Sequence, residues 1–210
     1  MRLTGLLGGS FNPAHRGHLH ISLAAMKALG LDELWWLVSP GNPLKSGAQD
    51  MASQLDRMKS ARAITRRTRI KPTAIERSLN TRYTIDSISK IIRRYPKRRF
   101  IWLMGADNLA QFHLWRDWRK LARLIPIAVL TRPGYISVAR ASRAAGALRR
   151  FVHREDQSTH WTRWRPPALV LLHFRPDDAS ATAIRRRAPD WHLSHTPKPM
   201  RDPVTHRMTH

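Results

Sequence analysis

The chain has 210 residues, is 42% hydrophobic and contains no cysteine, which excludes a disordered chain, a disulfide framework and any thiolate-held zinc or iron–sulfur centre. Its formal net charge of +24 makes a field that attracts phosphate, whether on nucleotides, nucleic acid or lipid head groups. Residues 1–30 lack the basic start and unbroken apolar core of a signal peptide, and no run is long enough to cross a membrane, so a cytoplasmic protein with no membrane partner is expected.

Leu3–Gly8 reads as a first strand, apolar throughout and therefore buried on both faces. From Gly17 to Leu29 the residues Leu19, Leu23, Met26 and Leu29 keep helical spacing, and Gly30 stands where a helix stops. Glu33–Val38 is a second strand, followed by Ser39–Lys45, a loop rich in turn formers. Asp50 is placed to cap a second helix with Met51, Leu55, Met58 and Ala61 on its apolar face. Arg69–Ile75 makes a third strand. A third helix starts at Thr84 with Ile85, Ile88, Ile92 and Tyr95 inward, and Pro96 ends it. Arg99–Met104 is a fourth strand that runs into Gly105-Ala106-Asp107, with short helices over Asn108–His113 and Asp117–Leu124. Pro126–Thr131 is a fifth strand closed by Arg132-Pro133-Gly134, and Val138–Val152 a helix with Ala141, Ala144, Ala145, Leu148 and Val152 inward. Residues 153–167 read as loop, Ala168–His173 as a sixth strand, and Ser180 as the cap of a short helix through Arg187.

Short, continuously apolar strands alternating with helices predict an α/β fold: a doubly wound, Rossmann-like parallel sheet flanked by helices. Residues 1–187 are expected to form a single domain of that kind. Residues 188–210, with four prolines and little apolar content, are expected to be a diverged or disordered tail. Ligands in such folds bind outside the carboxyl ends of the strands. Gly8–His18, Ser39–Lys45, Gly105–Trp118 and Asp177–Arg185 should therefore converge on one site. The arginines at Arg62, Arg66, Arg67 and Arg69, and the basic residues Arg93, Arg94, Lys97, Arg98 and Arg99, fall on helix ends and turns. The excess charge thus reads first as solvated surface and only second as a nucleic-acid face.

The chemistry concentrates in Leu6-Leu7-Gly8-Gly9-Ser10-Phe11-Asn12-Pro13-Ala14-His15-Arg16-Gly17-His18. A strand meets two glycines, a polar turn and a helix start, a junction that brings backbone N–H groups and a helix N-terminus up to phosphate. His15 and His18, three apart around Gly17, can both donate to oxygens of one phosphate, which suits a transition state whose charge spreads over a transferring phosphoryl group. The spacing alone also fits an ordinary glycine turn with two surface histidines, in a chain that has eleven. A zinc role for His15, His18 and His20 has no thiolate or acidic third ligand nearby to support it.

The Gly8–His18 string resembles the signature of nucleotidyltransferases with a His-x-Gly-His motif, and the chain as a whole is similar to the nicotinate-nucleotide adenylyltransferases of bacterial NAD biosynthesis. Pro40-Gly41-Asn42-Pro43-Leu44-Lys45 resembles the family's proline-and-lysine loop. Arg82-Tyr83-Thr84-Ile85-Asp86-Ser87-Ile88 is similar to its Tyr-Thr-x-Asp-Thr segment. Gly105-Ala106-Asp107 through Trp115 and Trp118 resembles its Gly-Ala-Asp stretch with an aromatic pair, and Ser180-Ala181-Thr182-Ala183-Ile184-Arg185 its Ser/Thr helix start. The likeness covers about residues 3–187. Beyond it the family continues into a proline, a Val-rich turn and a Tyr-Ile helix, which Ala188–His210 does not match.

The resemblance implies a reaction in which ATP, with Mg²⁺, gives its adenylyl group to nicotinate mononucleotide, yielding nicotinate adenine dinucleotide and pyrophosphate. It implies His15 and His18 as catalytic residues. It implies ATP held by Gly8, Gly9, Ser10, Phe11, Lys45, Asp107, Ser180, Thr182 and Arg185, with Asp107 on the adenosine ribose and Ser180, Thr182 and Arg185 on the β- and γ-phosphates. Thr84, Trp115 and Trp118 would hold nicotinate mononucleotide, Trp115 by stacking on its pyridine ring. The attacking phosphate oxygen is already ionised at neutral pH, so no general base is required; the protein's work is to place two phosphates in line and offset their charge. Plainer roles stand beside these: Ser180, Asp107 and Asp86 as helix caps, the tryptophans as core. The other functional readings are an adenylyltransferase for nicotinamide mononucleotide or phosphopantetheine, and a cationic nucleic-acid-binding protein with stacking aromatics. A homo-oligomer is left open.

Overall fold

Strand β2 (Glu33–Val38) is buried at every position, because both of its faces lie under helices. The computed structural model describes residues 1–41, 51–131, 141–174, 181–193 and 198–209. The main sheet has seven strands in the order β3-β2-β1-β4-β5-β7-β6, all paired in parallel. They are β1 (Arg2–Gly9), β2, β3 (Ile70–Thr73), β4 (Arg98–Gly105), β5 (Ile127–Thr131), β6 (Val152–His153) and β7 (Leu169–His173). The helices are α1 (Arg16–Ala28), α2 (Gln54–Thr65), α3 (Ile75–Ser78), α4 (Thr84–Arg94), α5 (Ala106–Gln111), α6 (Trp118–Leu124), α7 (Arg143–Leu148) and α8 (Ala181–Arg187).

Successive strand residues point to opposite faces, and the two cores follow that alternation. Leu6, Trp35 and Trp102 face one core with Ile88 of α4, Leu121 of α6 and Leu148 of α7. Their neighbours Leu7, Trp36 and Leu103 face the other, with Met26 of α1 and Met58 of α2. The doubly wound α/β fold is therefore as the sequence pattern predicts. Strand order reverses between β1 and β4, the switch point at which such sheets open a crevice. The carboxyl ends of β1 at Gly8-Gly9 and of β4 at Gly105 lie side by side there.

At the opposite end of the sheet stands a buried carboxylate. Glu33, 3% exposed, accepts hydrogen bonds from Trp35 Nε1 (2.9 Å), Lys71 Nζ (2.7 Å) and Arg98 Nη1, with Arg2 Nη1 at 3.6 Å. Burial pushes its pKa up, but the bond and charge of Lys71 and the charge of Arg98 outweigh burial and leave it below the usual value.

The boundaries differ from the expected ones where side chains compete with the backbone. α2 is capped by Ser53, whose Oγ accepts from Asp56 N at 3.1 Å; Asp50 lies outside the described residues. β3 stops at Thr73, and its Pro72, which cannot donate to a ladder, is tolerated because β3 is the sheet edge. Of the helix expected over 138–152, the described helical part is α7 followed by a 3-10 turn over Arg149–Phe151. Ser142 Oγ accepts from Ala145 N (3.2 Å) and starts the helix after Ala141, and Val152 pairs with Leu169 as the edge strand β6. The 153–167 loop is corrected too: Glu155–Arg163 is a 3-10 helix whose Trp161 is 1% exposed. Trp161 Nε1 donates to Leu29 O (2.9 Å) and Ser158 Oγ to Ala28 O (2.7 Å). These are carbonyls that the end of α1 leaves without helical partners.

The tail expectation gives way at 198–209. There β8 (Met200–Arg201) and β9 (Met208–Thr209) form an antiparallel hairpin, docked on the end of β3 by Asp202, which is 1% exposed. Its carboxylate accepts from Thr73 Oγ1 (2.9 Å), Ala74 N (2.8 Å) and the hairpin's own Val204 and Thr205 N–H groups (2.9 Å each). Apolar counting misses such an anchor because the anchor is polar. Asp202→Ala is expected to cost about 2–3 kcal/mol by stranding these donors. The urea unfolding midpoint measures it, and a loss under about 0.5 kcal/mol would mean that the hairpin is not held this way.

Candidate active site

At the end of β1 the chain turns through Ser10 and Phe11 into Asn12. Phe11 has φ +47, a left-handed conformation that costs a bulky residue energy. Its ring offsets that by burial, stacked on Trp36 at 4.7 Å and 15°, with the His18 ring at 5.0 Å. A Cβ on Gly8 would come 2.7 Å from the Trp102 indole, so this glycine serves the core as well as the turn.

His15 is the N-cap of α1 and His18 stands in its first turn, their ring centroids 3.8 Å apart. The His15 backbone N–H donates to His18 Nδ1 at 3.3 Å. An Nδ1 that accepts leaves Nε2 as the proton-bearing atom of the neutral ring. His18 is thus held as a hydrogen-bond donor through Nε2, at a helix N-terminus whose dipole favours anions.

The turn is braced from below. Arg57 of α2 is 1% exposed; its Nη1 donates to Ser10 O and Ser39 O (2.8 Å each) and its Nε to Ala52 O (3.0 Å). Ser60 Oγ accepts from Ala14 N (3.1 Å), and Asn12 Oδ1 from Ala52 N (3.2 Å). Arg57 was not among the residues expected at the site. Its one sequence signal is a cation beside the small residues Ser60 and Ala61 on an inward helix face, which a chain with 38 lysines and arginines conceals.

α8 reaches the same turn. Arg185 Nη1 donates to Asn12 O (2.6 Å) and its Nη2 to Thr182 Oγ1 (3.4 Å). Among the described residues of that helix start, Arg185 is the one bonded to the first turn, and Thr182 is bonded to Arg185 within α8; Ser180 and Lys45 lie outside the described residues. Asp107 is exposed in the first turn of α5 at the end of β4. Gly105, not Asp107, is the N-cap of α5, and a Cβ on Gly105 would strike the Asp107 carboxylate.

On the other side of β4, Trp115 is partly exposed, edge-on to Trp102 (6.3 Å) and Phe112 (5.5 Å). Trp118, expected at the site, lies in the core: it is 7% exposed and packs on Phe112 at 5.6 Å, while Trp115 is half-buried. Thr84 is the first residue of α4. Arg116 ties the two segments together, its guanidinium 4.6 Å from the Tyr83 ring centroid and 3.8 Å from the Asp86 carboxylate. Beside them opens a cavity of about 440 Å³ lined by Tyr83, Asp86 and the cations Arg82, Lys90, Arg93 and Arg116. Among the described residues no group of three or more His, Asp or Glu side chains gathers as a metal site, and no helix is long and apolar enough to cross a membrane.

The model of the cytidylyltransferase-like family matches residues 6–187. A protein of Erythrobacter litoralis named probable nicotinate-nucleotide adenylyltransferase is 56% identical over 204 residues, 97% of this chain and 93% of its own. One of the same name from Parvibaculum lavamentivorans is 49% identical over 189 residues, 90% of this chain and 93% of its own. Among solved structures, the nicotinic acid mononucleotide adenylyltransferase of Plasmodium falciparum complexed with APC aligns with a TM-score of 0.63 at 14% identity, over 89% of this chain and 83% of that one. Its complex with NaAD aligns at 0.57 and 15% identity, over the same shares. At such identity the likeness is one of fold.

Proposed function

The chain belongs to the nicotinate-nucleotide adenylyltransferases, within the cytidylyltransferase-like family, and from that premise we propose how its residues divide the reaction. The reaction transfers the adenylyl group of ATP to nicotinate mononucleotide. A phosphate oxygen of the mononucleotide bonds to the α-phosphorus of ATP, the bond to the β-bridging oxygen breaks, and pyrophosphate leaves. No proton need be removed from the attacking oxygen. The residues have to align the two phosphates and stabilise charge as it spreads.

The observation that carries this division is the pair of imidazoles at the mouth of α1, with His18 Nε2 left as a donor. His15 and His18 receive the α-phosphate, with the Gly8–Phe11 turn beneath it. Arg185, tied to the same turn through Asn12, and Thr182 beside it receive the β- and γ-phosphates together with Ser180 and Lys45. Asp107 accepts from the adenosine ribose. Mg²⁺ would come with ATP, since phosphate oxygens and water suit this hard cation, and would neutralise charge on the leaving pyrophosphate. Trp115 stacks on the pyridine ring and Thr84 meets its carboxylate.

The surroundings of that acceptor end favour an acid over an amide. Next to Thr84 at the start of α4, Arg82 and Arg116 stand beside a single carboxylate, Asp86. With ATP and Mg²⁺ present, pyrophosphate release should be at least about tenfold faster with nicotinate mononucleotide than with nicotinamide mononucleotide or phosphopantetheine. A coupled pyrophosphate assay with the three acceptors measures it, and equal rates with the two mononucleotides would sink the acceptor assignment.

A further inference from the structure

Among the described residues, Arg57 is the one deeply buried cation that this division of work leaves without a task. Among the described residues it makes no salt bridge. A buried cation ordinarily takes a carboxylate partner. Arg57 takes three backbone carbonyls instead, Ser10 from the turn after β1, Ser39 from the end of β2 and Ala52 from the approach to α2. Burial lowers its pKa to about 10, which still leaves it charged at neutral pH.

The direction of these bonds is what matters. In a trans peptide the C=O and N–H groups point opposite ways. With the Ser10 carbonyl drawn to Arg57, the Phe11 N–H of the same peptide points away from Arg57. A carbonyl oxygen is the group an incoming phosphate must not meet, and an N–H is the group it needs. One guanidinium fork therefore removes three oxygens and places a full positive charge behind the turn. A lysine could not do this with one ammonium in a fixed geometry.

We propose that Arg57 is a positioning residue for the phosphates of ATP, holding the Ser10, Ser39 and Ala52 carbonyls inward so that the turn after β1 presents the Phe11 N–H to the triphosphate. This rests on the reading of that turn as the phosphate site. It assigns to α2 a part in nucleotide binding without any contact to nucleotide.

The test separates phosphate binding from folding. Arg57→Gln, Arg57→Lys and the control Gln54→Ala are compared with the unaltered enzyme for affinity toward ATP with Mg²⁺, affinity toward adenosine, and unfolding midpoint. Gln54 donates to Val38 O (2.7 Å) in the first turn of α2 and so reports a purely structural brace. Arg57→Gln should weaken ATP by about tenfold or more, as expected for losing a charged, hydrogen-bonded group, while adenosine changes less than about twofold. Arg57→Lys should fall between. Gln54→Ala should keep the ratio of ATP to adenosine affinity even where its midpoint drops. Equal weakening of ATP and adenosine by the Arg57 variants overturns the proposal, as does a loss of stability with the ratio intact. Failure of both Arg57 variants to fold also overturns it, by making the side chain a part of the core. An unaltered enzyme that binds ATP no better than adenosine would instead remove the phosphate-turn reading itself.

Discussion

His18→Ala lowers kcat for adenylyl transfer by about 10²-fold or more and changes the KM for ATP only a few-fold. The position of the ring proton decides this. With Nδ1 occupied by the His15 backbone N–H, Nε2 is the atom left to donate, and it is fixed before substrate arrives. A fixed donor stabilises charge most where charge grows, and in phosphoryl transfer that is on the oxygens of the transferring group. In the proposed division of work, ground-state ATP has other anchors in the turn and in α8, so its binding should fall little. His18 is the cleaner probe of the pair, because His15 caps α1 and its loss would mix stability with rate. Steady-state kinetics at saturating nicotinate mononucleotide decide the matter, and a kcat within threefold of the unaltered enzyme would remove His18 from the catalytic pair.

The second large effect is expected far from the chemistry. Glu33→Ala should cost about 3–5 kcal/mol of stability, the range for breaking a buried ion pair from one side. Lys71 and Arg98, 34% and 20% exposed, would be left facing each other beside Arg2 with nothing between them. The pH dependence follows from the sign of the shift. The folded carboxylate sits below its ordinary value of 4.5, so its stabilisation is fully present above that value. It is lost as pH falls through the lower, folded pKa. The gap in urea midpoint between the unaltered protein and Glu33→Gln should therefore be wide at pH 7 and narrow as the medium is acidified below about 4.5. A gap that stayed constant with pH would assign the loss to packing and not to charge.

Much of this molecule was legible because its strands are buried on both faces. Leu34–Val38 and Phe100–Met104 read as unbroken apolar runs and Leu3–Gly8 as one broken only by Thr4, and such runs separated by helices have few arrangements besides a doubly wound sheet. The histidine stretch was legible for a different reason: backbone chemistry at a strand–helix junction depends on glycine and on sequence spacing, both visible in one dimension. What stayed hidden were interactions made by polar side chains across long separations. Arg57 looks like any of its many fellows until Ser10 and Ser39 are seen above it. Asp202 lies in a proline-rich stretch whose composition argues against packing, and its partners Thr73 and Ala74 are 129 and 128 residues away. Trp118 and Trp115 cannot be told apart by type; burial alone sends one to the core and leaves the other at the crevice.

The clasp of Ser158 and Trp161 on the last carbonyls of α1 sets a timetable for the ribosome. The histidine stretch is among the first parts of the chain to be synthesised, yet β1 has no β4 to lie against until residue 98, and the far end of α1 stays unsealed until residue 161. Long-range closure of this kind is slow compared with local helix formation. The first stretch to be made thus depends, for the pairing of β1 and the seal on α1, on residues made much later.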